Sequence, residues 1–201
     1  MDSKRLAGTI KPLPRSFYER NTQVVAFELI GKLLVFNPKG VALVGKIVET
    51  EAYLGAQDPA SHAHRGVTVR NQVMFGPAGF SYVYFTYGNH HCLNVVTERE
   101  NIPGAVLIRA LEPCMGISVM KKHRGLEESG QLTNGPGKLT QAFGITREHS
   151  GLDLTQSSFC IIEEEGRGPI RIKATTRIGI SSAQDKPFRF YLSENPFVSR
   201  Q

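Results

Sequence analysis

Tryptophan is absent from this chain of 201 residues, and cysteine occurs only three times. Cys92, Cys114 and Cys160 are far apart, none belongs to a CxxC pair, and an odd number cannot close into a disulfide framework. A reducing compartment is expected, with all three as small core residues. Long apolar runs are missing too. Residues 41–44 and 105–108 are among the longest, far short of the ~20 needed to cross a bilayer. Residues 1–15 contain no apolar signal-peptide core. A membrane protein and an exported protein are therefore not expected. No Walker or Rossmann glycine motif occurs, since Asn134-Gly-Pro-Gly-Lys138 has the wrong spacing. The histidines, His62-x-His64 and His90-His91 among them, match no common zinc signature, so no metal and no cofactor are expected.

What remains is ample material for one globular domain. Hydrophobic residues make up 40% of the chain and charged residues 21%, a balance that excludes a disordered protein. The net charge is +6, from 24 Lys and Arg against 18 Asp and Glu, which suits a polyanionic partner. Residues 1–15, with Lys4, Arg5, Lys11 and Arg15 among two prolines, read as a basic arm ahead of a single domain at 16–201.

Asn21 or Thr22 can cap a helix running to Leu29, closed by Gly31. Strands are expected at 32–36, 41–54, 80–87, 91–96, 105–111, 159–163, 170–174 and 188–192, the third and fourth forming a hairpin that turns at Gly88-Asn89. Short helices are expected at 116–123 and 138–143, and residues 59–79 form a long ordered loop. Strands outnumber helices without βα alternation, so the class is α+β with an antiparallel sheet.

Three stretches carry possible chemistry. In Ile47-Val-Glu-Thr-Glu-Ala-Tyr53, strand alternation puts Ile47, Glu49, Glu51 and Tyr53 on one face. With Asp58 and His62 these could form an acid/base site, or simply the solvated face of an amphipathic strand. In Phe80-Ser-Tyr-Val-Tyr-Phe-Thr-Tyr87, the last tyrosine precedes a glycine turn and would project, as aromatics that stack on or wedge apart bases do. In Ala105-Val-Leu-Ile-Arg-Ala-Leu111, Arg109 must reach the surface or a buried carboxylate, with Glu51 or Glu112 as candidates.

Together these stretches resemble the alkyladenine (3-methyladenine) DNA glycosylase family. The likeness runs from about residue 13 to 200, on Val48-Glu-Thr-Glu-Ala-Tyr-Leu-Gly55, Ser61-His62, Arg70-Asn71 through Met74-Phe75, Tyr82-Val-Tyr84 with Tyr87-Gly88, and Cys92-Leu-Asn94. It continues through Val106-Leu-Ile-Arg-Ala-Leu-Glu-Pro113, Asn134-Gly-Pro-Gly-Lys-Leu139, Arg177-Ile-Gly179 and Pro187-Phe-Arg-Phe-Tyr191. The resemblance implies a single domain around a curved antiparallel sheet with a protruding β-hairpin. It implies a monomeric base-excision-repair enzyme, cytoplasmic in a bacterium or nuclear in a eukaryote, that flips damaged purines out of double-stranded DNA.

By position, Glu51 matches the catalytic carboxylate, Arg109 the arginine that helps hold the attacking water, and Ile178 a main-chain carbonyl that binds it. Tyr53, His62 and Tyr84 match the residues that stack about the flipped base, and Asn94 the amide that crowds the exocyclic amine of guanine. Tyr87 matches the groove-inserting wedge, while Thr68, Met74 and Lys138 fall among the DNA contacts. No lysine occupies a nucleophile position, which implies hydrolysis without lyase activity. The loop 63–69 and Asn89-His90-His91 depart from the family pattern. Two other readings stay open: a metal-dependent nuclease using Glu49, Glu51, Asp58 and His62, and a non-catalytic nucleic-acid-binding module resembling the C-terminal domain of formyltransferases.

Overall fold

A computed structural model describes residues 10–38, 40–86, 88–156, 158–166 and 168–200. Of the expected basic arm, residues 1–9 lie outside this set. The remainder is docked: Leu13 donates its N–H to Ile161, and Arg15 pairs with Asp153 at 2.6 Å. Helix α1 (Arg15–Tyr18) is one turn. Helix α2 (Thr22–Leu29) starts where Asn21 accepts hydrogen bonds from the N–H groups of Gln23 and Val24, the expected cap.

The strands are β1 (Leu33–Phe36), β2 (Leu43–Tyr53), β3 (Ser81–Thr86), β4 (His90–Thr97), β5 (Gly104–Met115), β6 (Phe159–Ile162), β7 (Ile172–Thr175) and β8 (Arg189–Leu192). They form one antiparallel sheet of order β3-β4-β5-β2-β1-β6, with β8 joining β2 to β7. Helices α3 (Ile117–Arg124) and α4 (Pro136–Phe143) follow β5. Helix α4 begins at Pro136, two residues earlier than expected, because a proline at the first helical position loses no hydrogen bond.

Strand β2 organises the molecule. Its first half pairs with β1 on one edge, its second half with β8 on the same edge, and β5 runs along the other. Where the partner changes from β1 to β8, the register with β5 shifts twice. Val48 is left as an extra residue on β2 and Arg109 as an extra residue on β5. Such bulges re-aim side chains and are common beside active sites. One expectation fails for this reason. Ile47 does not share the face of Glu49, Glu51 and Tyr53; it joins Leu29, Ala52, Ile108, Leu111 and Phe143 in the main core. Thr50, also on that side, donates to the Ala26 carbonyl of α2 at 2.8 Å.

The hairpin of β3 and β4 protrudes as expected. Only Asn94 to Thr97 of β4 pair with β5, so the part from His90 to Leu93 runs past its edge with β3. Gly88 turns the hairpin with φ +72°. Tyr87 lies outside the described residues. The loop 59–79 is stapled by buried Asn71, whose amide donates to the carbonyls of His62 and Gly66 while its oxygen accepts from the Thr68 N–H. Gly55 opens this segment at φ +67°, where a Cβ would sit 1.9 Å from the Pro103 carbonyl oxygen. Cys92 and Cys160 are buried, whereas Cys114 is only half-buried, at the end of β5.

Candidate active site

The face of the sheet away from α2 carries a cavity of about 420 Å³. Its wall includes Tyr53 from β2, Tyr82 and Tyr84 from β3, Cys92 and Asn94 from β4, Leu107 and Arg109 from β5, His62 and Met74 from the stapled loop, and Ile178. Residues expected from distant parts of the sequence therefore meet at one place.

Glu51 lies beneath this wall, fully buried. Its Oε2 accepts from the Tyr53 hydroxyl at 2.8 Å and lies 3.3 Å from Arg109 Nη1, and its Oε1 accepts from the Ile178 N–H at 2.7 Å. The resemblance implies a role for the Ile178 carbonyl, but the link to Glu51 is made by the N–H. Burial, followed by the Glu51 charge and hydrogen bond, holds the Tyr53 phenol far above its ordinary value, so it stays a donor.

Arg109 has two carboxylate partners rather than one. Its Nε donates to Glu49 at 3.0 Å while Nη1 faces Glu51. Glu112, the other partner considered, instead accepts from Asn195. Glu49 is fully buried as well, so neither glutamate lies on a solvated strand face. Its Oε1 also accepts from Arg189 Nε at 2.7 Å and the Ser199 hydroxyl at 2.9 Å, and its Oε2 from the Ser199 N–H at 2.7 Å. Burying four charges costs several kcal/mol per ion unless each is well paired. Here two carboxylates meet two guanidiniums. The core behind them contributes about 1.5–3 kcal/mol per buried aliphatic side chain.

A second buried ion pair underlies the wall. Arg177 grips Asp58 through two hydrogen bonds of 2.5 and 2.8 Å and donates to the Ala52 carbonyl. Its guanidinium lies 4.7 Å from the Tyr53 ring centroid. Burial alone would raise the Asp58 carboxyl, but Arg177 and the N–H groups of Leu54 and Ala60 hold it below its ordinary value. The pair fixes both the back of Tyr53 and the residue preceding Ile178.

Across the cavity, His62 and Tyr84 meet edge to face with ring centroids 4.5 Å apart, and His62 Nδ1 shares a 2.9 Å hydrogen bond with the Tyr82 hydroxyl. Burial pushes the Tyr82 phenol up to about 12. Burial of the ring, then the charge of Arg70, lowers the His62 imidazole below its ordinary value. Asn94 is 3% exposed and donates its amide N–H to the Tyr82 carbonyl at 3.0 Å. Backbone satisfaction and a place in the wall coexist. Because backbone carbonyls can only accept, they hold the amide nitrogen and leave the oxygen for the cavity.

Met74, expected among the DNA contacts, is buried in the wall, so a guest in the cavity is what it can touch. Thr68 is exposed, with its N–H held by Asn71. Lys138 is half-buried in the first turn of α4 and donates to the Asn134 side chain at 2.9 Å. Neither lines the cavity. Sequence reading gave no role to Arg177, Arg189 or Ser199. Arg189 had the signal that singled out Arg109, a lone charge in an apolar strand; Ser199 had none.

The four groups suggested as nuclease ligands do not assemble. Asp58 is engaged by Arg177, His62 by Tyr82, Glu49 by two arginines and a serine, and Glu51 by Tyr53, Arg109 and Ile178. Among the described residues no three His, Cys, Asp or Glu side chains converge to hold a metal ion. The binding-module reading left Glu51, Arg109 and Asn94 without a joint purpose, yet Arg109 and Asn94 line one cavity and Glu51 pairs with Arg109 behind its wall. No helix among the described residues is long and apolar enough to cross a membrane.

Comparison with known proteins agrees with the geometry. Residues 16–196 match the profile of the methylpurine-DNA glycosylases. Curated relatives include proteins from Carboxydothermus hydrogenoformans, 50% identical over 94% of this chain and 99% of its own length, and from Methanoculleus marisnigri, 49% identical over 94% and 99%. A third, from Prosthecochloris aestuarii, is 50% identical over 92% of this chain and 90% of its own. All three are provisionally named 3-methyladenine DNA glycosylase. The chain belongs to the methylpurine-DNA glycosylase family, and with it to the DNA glycosylases, hydrolases of N-glycosyl bonds.

Proposed function

We propose that this enzyme removes damaged purines, of the 3-methyladenine, 7-methylguanine, hypoxanthine and ethenoadenine class, from double-stranded DNA, working as a monomer with water activated by Glu51. The observation that carries the reading is the placement of one buried carboxylate, held by Tyr53, Arg109 and the Ile178 N–H, beneath an aromatic cavity. A base inside a duplex is unreachable, so it must be extruded, at a cost of a few kcal/mol that is smallest for damaged or mispaired bases. Tyr87 at the hairpin turn is the residue assigned to fill the gap. Tyr53, His62 and Tyr84 then enclose the extruded base. A cationic alkylpurine gains about 1–2 kcal/mol from such rings once desolvated.

In the chemical step a water oxygen bonds to C1′ as the C1′–N9 bond breaks. The electron pair of that bond passes to the purine, so an alkylated cation departs neutral, whereas hypoxanthine or ethenoadenine departs as an anion and takes up one proton from solvent. Glu51 accepts the proton that the water loses, and its charge favours the oxocarbenium-like transition state. Arg109 offsets that charge and orients the water. The products are a free base and an intact strand with an alkali-labile abasic site, with no Schiff base and no strand cleavage.

Glu51→Gln tests this reading. The amide keeps the shape but cannot take the proton or carry the charge. Base release from a duplex holding one lesion should fall by at least ~10²–10³ while lesion binding is kept. Undiminished release by Glu51→Gln would discard the assignment.

A further inference from the structure

Ser199 is separated from Glu49 by 150 positions in the chain, yet it supplies two of the four hydrogen bonds that Glu49 receives. Its N–H reaches Oε2 at 2.7 Å and its hydroxyl reaches Oε1 at 2.9 Å. The same hydroxyl oxygen lies 3.5 Å from Arg109 Nη2. Two anchors place this segment. Asn195 donates to Glu112 of β5 at 2.9 Å, and buried Val198 packs with Val48 and Ala110 beside the two bulges. Arg189, which with Arg109 also donates to Glu49, holds the Arg200 carbonyl as well.

The consequence falls on Arg109. A guanidinium is a planar fork, and its orientation is set once two of its edges are held. Here Nε is held by Glu49 and Nη2 meets Ser199, so Nη1 is the edge left to face Glu51. We propose that Ser199 is a positioning residue for glycosidic hydrolysis: it saturates Glu49 and steadies Arg109 so that one guanidinium edge stays aimed at Glu51. It touches neither substrate nor water. Its effect passes wholly through Arg109. The proposal rests on the reading of Glu51 as the group that activates water.

The test uses the whole protein and duplexes holding one lesion, measuring lesion binding and single-turnover base release separately. Ser199→Ala keeps the N–H and loses the hydroxyl. Release should slow by about tenfold, the worth of one hydrogen bond to a charged group, with affinity for the lesion duplex unchanged. Ser199→Thr should restore the rate. In an Arg109→Lys background, which has no planar fork to orient, Ser199→Ala should change the rate less than twofold. Should Ser199→Ala not fold, Ser199→Cys, a poor donor of similar shape, must show the same slowing.

An unchanged rate would overturn the proposal. So would equal slowing in the Arg109→Lys background, or slowing matched by an equal loss of lesion affinity. The Glu51→Gln protein separates the two readings. If it stays active, the water-activation reading falls; if it is inactive while Ser199→Ala is unimpaired, only the proposal about Ser199 falls.

Discussion

The floor and the rim of the cavity are built from different materials. At the floor, Glu49, Glu51, Arg109 and Arg189 are buried, and every carboxylate oxygen among them has a partner. At the rim, His62 is only partly exposed, and beyond it Thr68 and Arg70 on the loop and Asn89 and His90 on the hairpin are open to solvent. A buried ion cluster tolerates no change of charge, since losing one partner leaves another unsatisfied. An exposed rim tolerates substitution and can follow the shape and charge of a ligand. Under the proposed function, the chemical step falls to the rigid part and the choice of base to the part that can vary.

The sharpest way to break this division is to neutralise a floor charge that touches neither the base nor the water. Glu49→Gln would leave Arg109 buried with Glu51 as its remaining carboxylate and Arg189 buried with no carboxylate among the described residues, a loss of about 3–5 kcal/mol for a broken buried pair. Chemical denaturation should show it as a lower midpoint with unchanged slope. Glu49→Gln is the natural control for Glu51→Gln, one carboxylate two positions away on the same strand face. The structure makes it the more damaging change to stability. A fall under 1 kcal/mol would mean the cluster is wetter or more adaptable than its geometry indicates.

The rim should answer to pH instead. Burial and Arg70 hold His62 below its ordinary value near 6.5, so it is neutral at pH 7. It gains its proton as pH falls through that lowered value. A cationic imidazolium facing a cationic alkylpurine would replace attraction by repulsion. The ratio of 3-methyladenine to hypoxanthine release should therefore drop by about tenfold on acidification below pH 6, if the change matches the 1–2 kcal/mol of a desolvated cation–π contact. Effects on Glu51 act on both lesions and cancel in the ratio. His62→Phe should flatten the curve; a drop that persists in that variant would place the titrating group elsewhere.

How much of this could be read from the sequence follows the range of the interactions. Helix α2 was legible because its cap is local, with Asn21 immediately before the first helical residue. The strands were legible because each alternates or runs apolar over a few residues. The two bulges were not, because Val48 and Arg109 become extra residues only when β8 replaces β1 beside β2. Strict alternation consequently assigned Ile47 to the wrong face. Glu51, Arg109 and Asn94 could be singled out through motif order; the structure places Arg109 and Asn94 in the cavity wall and Glu51 behind it, paired with Arg109. Their supports could not, because Arg189 and Ser199 reach Glu49 across 140 and 150 positions, and nothing local marks such a pairing.

Asn94 lies between floor and rim, and it offers the smallest and most selective effect. Guanine differs from adenine at the minor-groove edge by its N2 amine, and hypoxanthine resembles guanine without that amine. The Asn94 amide nitrogen is held by the Tyr82 carbonyl, so the side chain cannot swing aside without losing a buried hydrogen bond. Under the proposed assignment, a fixed amide in the wall would crowd an N2 amine where a mobile one would yield. Exclusion of this kind works by raising the cost of the wrong guest. Asn94→Ser shortens the side chain and frees that space. Release of 7-methylguanine should rise relative to hypoxanthine by threefold to tenfold, roughly the ~1 kcal/mol of one net hydrogen bond. The measurement is the ratio of single-turnover rates on the two lesions in matched duplexes. A constant ratio in a folded variant that still removes hypoxanthine would make Asn94 a tie between β3 and β4, and would shift discrimination against guanine to the rim.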